Sequence, residues 1–275
     1  MEPQRTDSRY RLYSDDDVAV LRGAKAMVDD GLRIAEVARM PREELRRAAM
    51  STPRSEAAPG AGASPGFLDA ALGAVAALDT QALERILFRA TGMGTLPAGE
   101  ACERVLLPLL REIGKRWEEK RLSIAAEHLG SAIVRARLLA LLASEARHLL
   151  HAHKVVCACP EGELHEGGLL AFAVHAAGSG LEVLYLGANT PIEEIMATAE
   201  ATGARAIALS LTRPIRKPQL GKLVSRLSAW KVGGGERRVL LGGSAAEREQ
   251  ARFRQAGFIL FAQATGMGLI WGDSQ

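Results

Sequence analysis

Aromatic residues make up only 4% of this 275-residue chain, although 48% of it is hydrophobic. A core short of rings must be built from Ala, Leu, Val and Ile, which suits helices and parallel strands better than an antiparallel sandwich. Cysteine is as scarce: Cys102, Cys157 and Cys159 are the whole complement. Cys157 and Cys159 sit in an apolar run with no second Cys-x-x-Cys cluster to complete a zinc site, so the three are expected to be reduced core residues of a cytoplasmic protein. Long apolar runs are missing too. None approaches the roughly 18 residues of a membrane span, and the N-terminus lacks a signal-peptide core. Nor does one sign of charge dominate, since 35 Lys and Arg against 32 Asp and Glu leave +3. Any contact with DNA must therefore come from a local patch.

What is present divides the chain. Residues 51–66, STPRSEAAPGAGASPG, carry no periodicity and read as a flexible linker after an N-terminal piece of residues 1–50. In that piece Ser14 caps a helix with Asp15, Asp16 and Asp17 in its first turn and Val18, Leu21, Ala24, Met27 and Val28 at helical spacing. Gly31 ends it, and Ile34 to Arg39 starts a shorter one. Residues 67–152 are helical almost throughout, with breaks at Asp79-Thr80, at Gly92 to Gly94 with Pro97, and from Arg121 to Ser123. Apolar stripes at Val105, Leu106, Leu109, Leu110 and Ile113, and at Ile133, Val134, Leu138, Leu139, Leu141 and Leu142, predict a four-helix bundle. From 153 to 275 five short β-rich runs, KVVCACP, LEVLYLG, ARAIALSL, RRVLLGG and FILFA, alternate with amphipathic stretches. The expected fold is α plus α/β, with a Rossmann-like five-stranded parallel sheet of flavodoxin type following the bundle.

In such a sheet, ligands bind beyond the carboxyl ends of the strands. Glu161 to Gly168 (EGELHEGG) follows the first strand directly. Glu163, two residues before His165, is close enough to bond one imidazole nitrogen and leave the other free for a metal. Gly167 and Gly168 would let a bulky planar group approach the backbone. The other histidines have plainer readings: His148, His151 and His153 cluster at the end of the last bundle helix, where cations suit the macrodipole, and His175 lies on a sheet-covering helix. RKPQLGK (216–222) and GGGERR (233–238) read as a solvated helix start and a loop.

Glu163-x-His165-x-x-Gly168 resembles the cobalamin-binding motif Asp-x-His-x-x-Gly, with Glu for Asp. Ser210, in Ser-Leu-Thr212, and Gly242-Gly243 match that family's later landmarks in order, with Thr212 where the family has Leu. The resemblance implies that His165 displaces the cofactor's own base and binds cobalt, while the nucleotide tail threads past Ser210, Thr212, Gly242 and Gly243. A second string, WEEKRLSIAAEHLGS, resembles the cap of CarH-type photoreceptors. It implies that Trp117, Ile124, Glu127, His128 and Ser131 surround an adenosyl group on the upper face of cobalt, with Glu127 on the ribose hydroxyls and Trp117 stacked on the adenosyl group. The chain departs from that family at Glu118, where a histidine that takes the upper face in the light would stand; a carboxylate is a poorer partner for Co(III).

The N-terminal piece resembles the later part of a MerR-type winged-helix domain, including a wing with Tyr10-Arg11-x-Tyr13. The helix-turn-helix that would precede Pro3 is not among these residues. Wing residues Arg5, Arg9 and Arg11 mainly grip phosphate, so DNA binding is expected to be weak or absent. The resemblance as a whole implies a sensor, not an enzyme, in which adenosylcobalamin drives assembly into a dimer or tetramer and light cleaves the Co–C bond. Two alternatives stay open: the corrinoid-carrying subunit of a methyltransferase, and a cobalamin-binding antirepressor that does not touch DNA.

Overall fold

The computed structural model describes residues 4–5, 11–12, 20–21, 23–24, 27, 37–51, 65–92, 96–146 and 153–261. The chain forms two compact units, Met1–Ala61 and Gly62–Gln275.

In the first unit, β1 (Gln4–Arg5) pairs antiparallel with β2 (Arg11–Leu12), and Arg5 stands opposite Arg11. Arg9, the Ser14 cap and the Gly31 stop lie outside the described residues. Residues 20–21, 23–24 and 27 are helical, as is 37. Val20, Val37 and Leu45 are buried together, with Ala24, Met27 and Met40 against them. Sequence reading missed the next helix, α1 (Arg42–Ser51). Pro41 followed by Glu43 and Glu44 in the first turn is a usable start signal for it.

The second unit opens with α2 (Pro65–Ala76), which starts two residues inside the expected linker, and α3 (Thr80–Thr91). The third helix is composite: α4 (Ala98–Ala101), a π-helical turn over Cys102–Leu106, and α5 (Leu107–Glu118). Pro108 accounts for the widened turn. Its ring lacks an N–H and would strike a carbonyl one turn back, and wider i→i+5 bonding, as in Leu107 N–H to the Cys102 carbonyl, relieves the collision. The fourth helix is α6 (Ile124–Glu145). Two of the expected breaks hold because side chains cap them: Asp79 accepts from Ala82 N at 2.8 Å and Ser123 Oγ accepts from Ala126 N at 3.1 Å; residues 93–95, at the other, lie outside the described residues.

The sheet follows. Its strands are β3 (Lys154–Pro160), β4 (Glu182–Thr190), β5 (Ala206–Ser210), β6 (Arg238–Gly242) and β7 (Ile259–Leu260), all parallel, in the order β4-β3-β5-β6-β7. The connecting helices are α7 (Gly167–Gly178), α8 (Ile192–Thr202), α9 (Lys217–Val232), and the short α10 (Ser244–Arg248) and α11 (Gln250–Gln255). Helix α7 is apolar all round and buried along nearly its whole length, because both of its faces are covered. Leu169, Phe172, Ala173 and Ala176 face the sheet core, while Leu170, Ala171 and Val174 join the core of the bundle. The bundle therefore packs onto the sheet through α7, the helix that begins directly after the EGELHEGG loop. No helix among the described residues is long and apolar enough to cross a membrane.

Candidate functional site

From β3 the chain turns to β4 on one side, and β5 leads away on the other, so the loops after β3 and β5 border the crevice where the strand order reverses. Glu163 bridges them. The residue is 5% exposed, and each carboxylate oxygen is claimed by donors from a different loop. Oε1 accepts from His165 N at 2.9 Å and lies 2.7 Å from His165 Nδ1. Oε2 accepts from Thr212 N, Thr212 Oγ1 and Arg213 N at 2.7, 2.6 and 2.8 Å. Burial pulls this carboxyl's pKa upward, but the bonds from the Thr212 hydroxyl and the three backbone N–H groups outweigh it and hold the pKa down at about 2. A carboxylate at Nδ1 makes that nitrogen the proton-bearing donor and leaves Nε2 with its lone pair. The His165 side chain is 69% exposed. The loop thus presents one imidazole nitrogen, fixed in tautomer and orientation, to the space outside the strand ends.

The surroundings suit a large planar ligand there. A Cβ on Gly168 would meet nothing within 4 Å, so the first turn of α7 borders open space. Gly167 does not share this role, contrary to the sequence reading: a Cβ there would stand 2.8 Å from Leu110 Cδ1, so its lack of a side chain serves packing against α5. Apolar Leu164, beside His165, is 64% exposed. On the far side of the crevice Ser210 ends β5, buried and in register with Gly242. Gly243 has φ +96°, and a Cβ there would stand 2.5 Å from the Leu211 carbonyl oxygen, so only glycine allows α10 to start this close to the β5 loop.

The cap residues lie on the bundle. Trp117 stands at the end of α5 and Ile124 at the start of α6, both exposed. Glu127 holds His128 through Nδ1 and accepts from Ser131 Oγ at 2.8 Å. This repeats the arrangement at His165, with one imidazole nitrogen tied to a carboxylate. Three residues that sequence reading missed connect the two halves: Glu166, next to His165, pairs with Arg135 of α6 through one oxygen and accepts from the Tyr185 hydroxyl of β4 through the other. Burial, with the Glu166 bond, pushes the Tyr185 phenol well above its ordinary range, so it stays a donor. No local signal marks this trio, whose members lie 31 and 19 residues apart.

Other residues fall outside the crevice. Cys102, Cys157 and Cys159 are buried, and burial raises Cys102 and Cys159 to about 12, so these thiols are core groups. His175 Nε2 lies 3.3 Å from Glu103 Oε1 of the π turn, where α7 meets the bundle. His148 and His151 lie outside the described residues. Among the described residues no cluster of three or more His, Cys, Asp or Glu could hold a metal ion, so a metal here needs ligands of its own besides His165. A cavity of about 480 Å³ opens at the amino ends of β5 and β6, away from the crevice. Its Arg237, expected in a plain loop, pairs with Glu200 and lies over the Trp230 ring.

Residues 68–142 and 153–267 each match a family model described as B12 binding domain, and residues 1–44 match that of the MerR HTH family regulatory proteins. The HTH-type transcriptional repressor CarH of Myxococcus xanthus is 34% identical over 258 residues, covering 91% of this chain and 82% of the relative. The HTH-type transcriptional repressor CarA of the same organism is 32% identical over 217 residues, covering 77% and 67%. Among solved structures, the Methanosarcina barkeri monomethylamine corrinoid protein superposes with a TM-score of 0.55 at 16% identity, over 72% of this chain and 92% of that one, and shares the fold.

Proposed function

The chain belongs to the family of HTH-type transcriptional repressors that contains CarH and CarA, and on that premise we propose that it is a cytoplasmic, light-responsive regulator that binds adenosylcobalamin between its bundle and its sheet. The single observation that carries the reading is His165, whose Nδ1 is held by a buried carboxylate while its side chain stays 69% exposed at the end of the strand β3 loop. His165 Nε2 would ligate cobalt, and Glu163 would keep the ring in place and raise its basicity. Ser210, Thr212, Gly242 and Gly243 would border the nucleotide tail. Above, Trp117, Ile124, Glu127, His128 and Ser131 would enclose the adenosyl group. Adenosylcobalamin bound there would supply a light-labile cobalt–carbon bond, and the chain's own part would be to exclude water and to couple the state of that bond to assembly of a dimer or tetramer. DNA contacts would come from residues 1–44, with Arg5, Arg9 and Arg11 on phosphates. The MerR match over residues 1–44 and the exposed Trp117 favour a sensor over a methyl carrier, which must open its cap to partner enzymes.

Absorption titration tests this reading. The wild-type chain is expected to bind adenosylcobalamin in the dark with a spectrum that green light changes, and His165→Ala to shift the bound cofactor towards a base-off spectrum with weaker affinity. A His165→Ala variant with the spectrum and affinity of the wild type would remove His165 as ligand.

A further inference from the structure

Helix α6 carries a ridge of side chains one turn apart, Glu127, Ser131 and Arg135, whose spacing of four residues puts them on one face. The Glu127–Ser131 bond confirms the alignment. Eight residues of helix rise about 12 Å. The Glu127–His128 end of the ridge therefore stands about that far along the axis from Arg135, which reaches Glu166, the residue after His165. Glu166 is anchored in turn by Tyr185 on β4. The trio ties the cap helix to the sheet at the foot of the space that His165 borders. Glu166 is shielded, whereas the Arg135 side chain is about half exposed, so the Arg135 contact is the part that water and salt can reach.

We propose that Arg135, Glu166 and Tyr185 form a clasp that must open before a cobalamin can enter or leave the space between α6 and the His165 loop, so that these positioning residues set the rate of cofactor exchange. The inference rests on the cobalamin reading above. A gate differs from an ordinary contact because its removal speeds entry as well as exit. A half-exposed ion pair contributes little to folding, so its loss leaves the unit intact while lowering the barrier to opening. The contact is also electrostatic, so salt weakens it.

The test uses the full chain and adenosylcobalamin in the dark, with uptake followed by stopped-flow absorbance and release by dilution. Arg135→Met is expected to speed both uptake and release, each by about fivefold, while the affinity changes less than either rate. Arg135→Lys should fall between. Raising potassium chloride from 0.05 to 0.5 M (roughly a threefold shorter screening length) should speed exchange in the wild type towards the Arg135→Met rates and leave that variant nearly unmoved. Tyr185→Phe, which frees one Glu166 oxygen, should also speed uptake. Unchanged rates in Arg135→Met, an equal salt response in variant and wild type, or faster release without faster uptake would each overturn the clasp. Failure of the wild type to bind any cobalamin would instead sink the reading on which it rests.

Discussion

Every group around the Glu163 carboxylate is a donor: His165 N and Nδ1 on one oxygen, Thr212 N, Thr212 Oγ1 and Arg213 N on the other. Glu163→Gln must turn an amide NH2 towards some of them, and a buried donor facing a donor costs about 1–3 kcal/mol. The variant is expected to lose that much stability to urea and to release the His165 ring from its fixed tautomer, which weakens cobalamin binding; full retention of both would show that charge at this position is dispensable. The sign of the pH dependence in the cofactor-free chain follows from the same bonds. The folded pKa, about 2, lies below the ordinary 4.5, so this contribution is fully present above pH 4.5 and lost as pH falls through 2. Its size is on the order of 3 kcal/mol, and Glu163→Gln should flatten acid unfolding over that window. The Glu163–His165 pair was legible in the sequence because its geometry is local, two residues apart after a strand. Arg135, Glu166 and Tyr185 were not, because a charged residue on a long helix looks the same whether it meets solvent or a carboxylate 31 positions away.

At the scale of elements, the glycines beside the site separate packing from ligand space. Gly168→Ala adds a methyl group to open space in the first turn of α7 and replaces a poor helix former. It is expected to leave the melting temperature unchanged or slightly raised while lowering cobalamin affinity. Gly243→Ala meets the Leu211 carbonyl at 2.5 Å with φ +96°, and should cost on the order of 2 kcal/mol or more in the cofactor-free chain. Equal effects of the two substitutions on folding, measured by thermal melts and titration side by side, would refute the distinction. The strands were legible because β-branched runs bounded by glycine and proline have few other uses, and β3 spans the run KVVCACP itself. Helix α1 escaped because only Leu45 among its placed side chains is buried. The π turn escaped because a proline in a helical pattern announces a break without saying how the chain will accommodate it. Helix α7 departs from the amphipathic stretch expected between the strands: it is buried along nearly its whole length because a bundle covers one face and a sheet the other, which belongs to the tertiary fold.

For the whole molecule, both segments that match B12 binding domains fall within the compact unit Gly62–Gln275, and a single helix, α7, contributes to both of its cores. A ligand held between bundle and sheet therefore stabilises that unit as one block, by RT ln(1 + [L]/Kd), or about 2.7 kcal/mol when free ligand is a hundred times Kd. For a unit of roughly 200 residues, 1 kcal/mol moves the midpoint by about 2–4 °C, so saturating adenosylcobalamin in the dark should raise its transition by roughly 5–10 °C in scanning calorimetry. Methylcobalamin, which offers nothing for Trp117 and Glu127 to hold, should give a smaller rise at the same concentration, and removal of the cofactor by gel filtration should restore the original midpoint. If bundle and sheet instead melted in two steps, with the cofactor moving only one, the ligand would lie within a single half and the sandwiched arrangement would be wrong. Equal shifts from the two cobalamins would leave His165 in place but take the adenosyl group away from the cap.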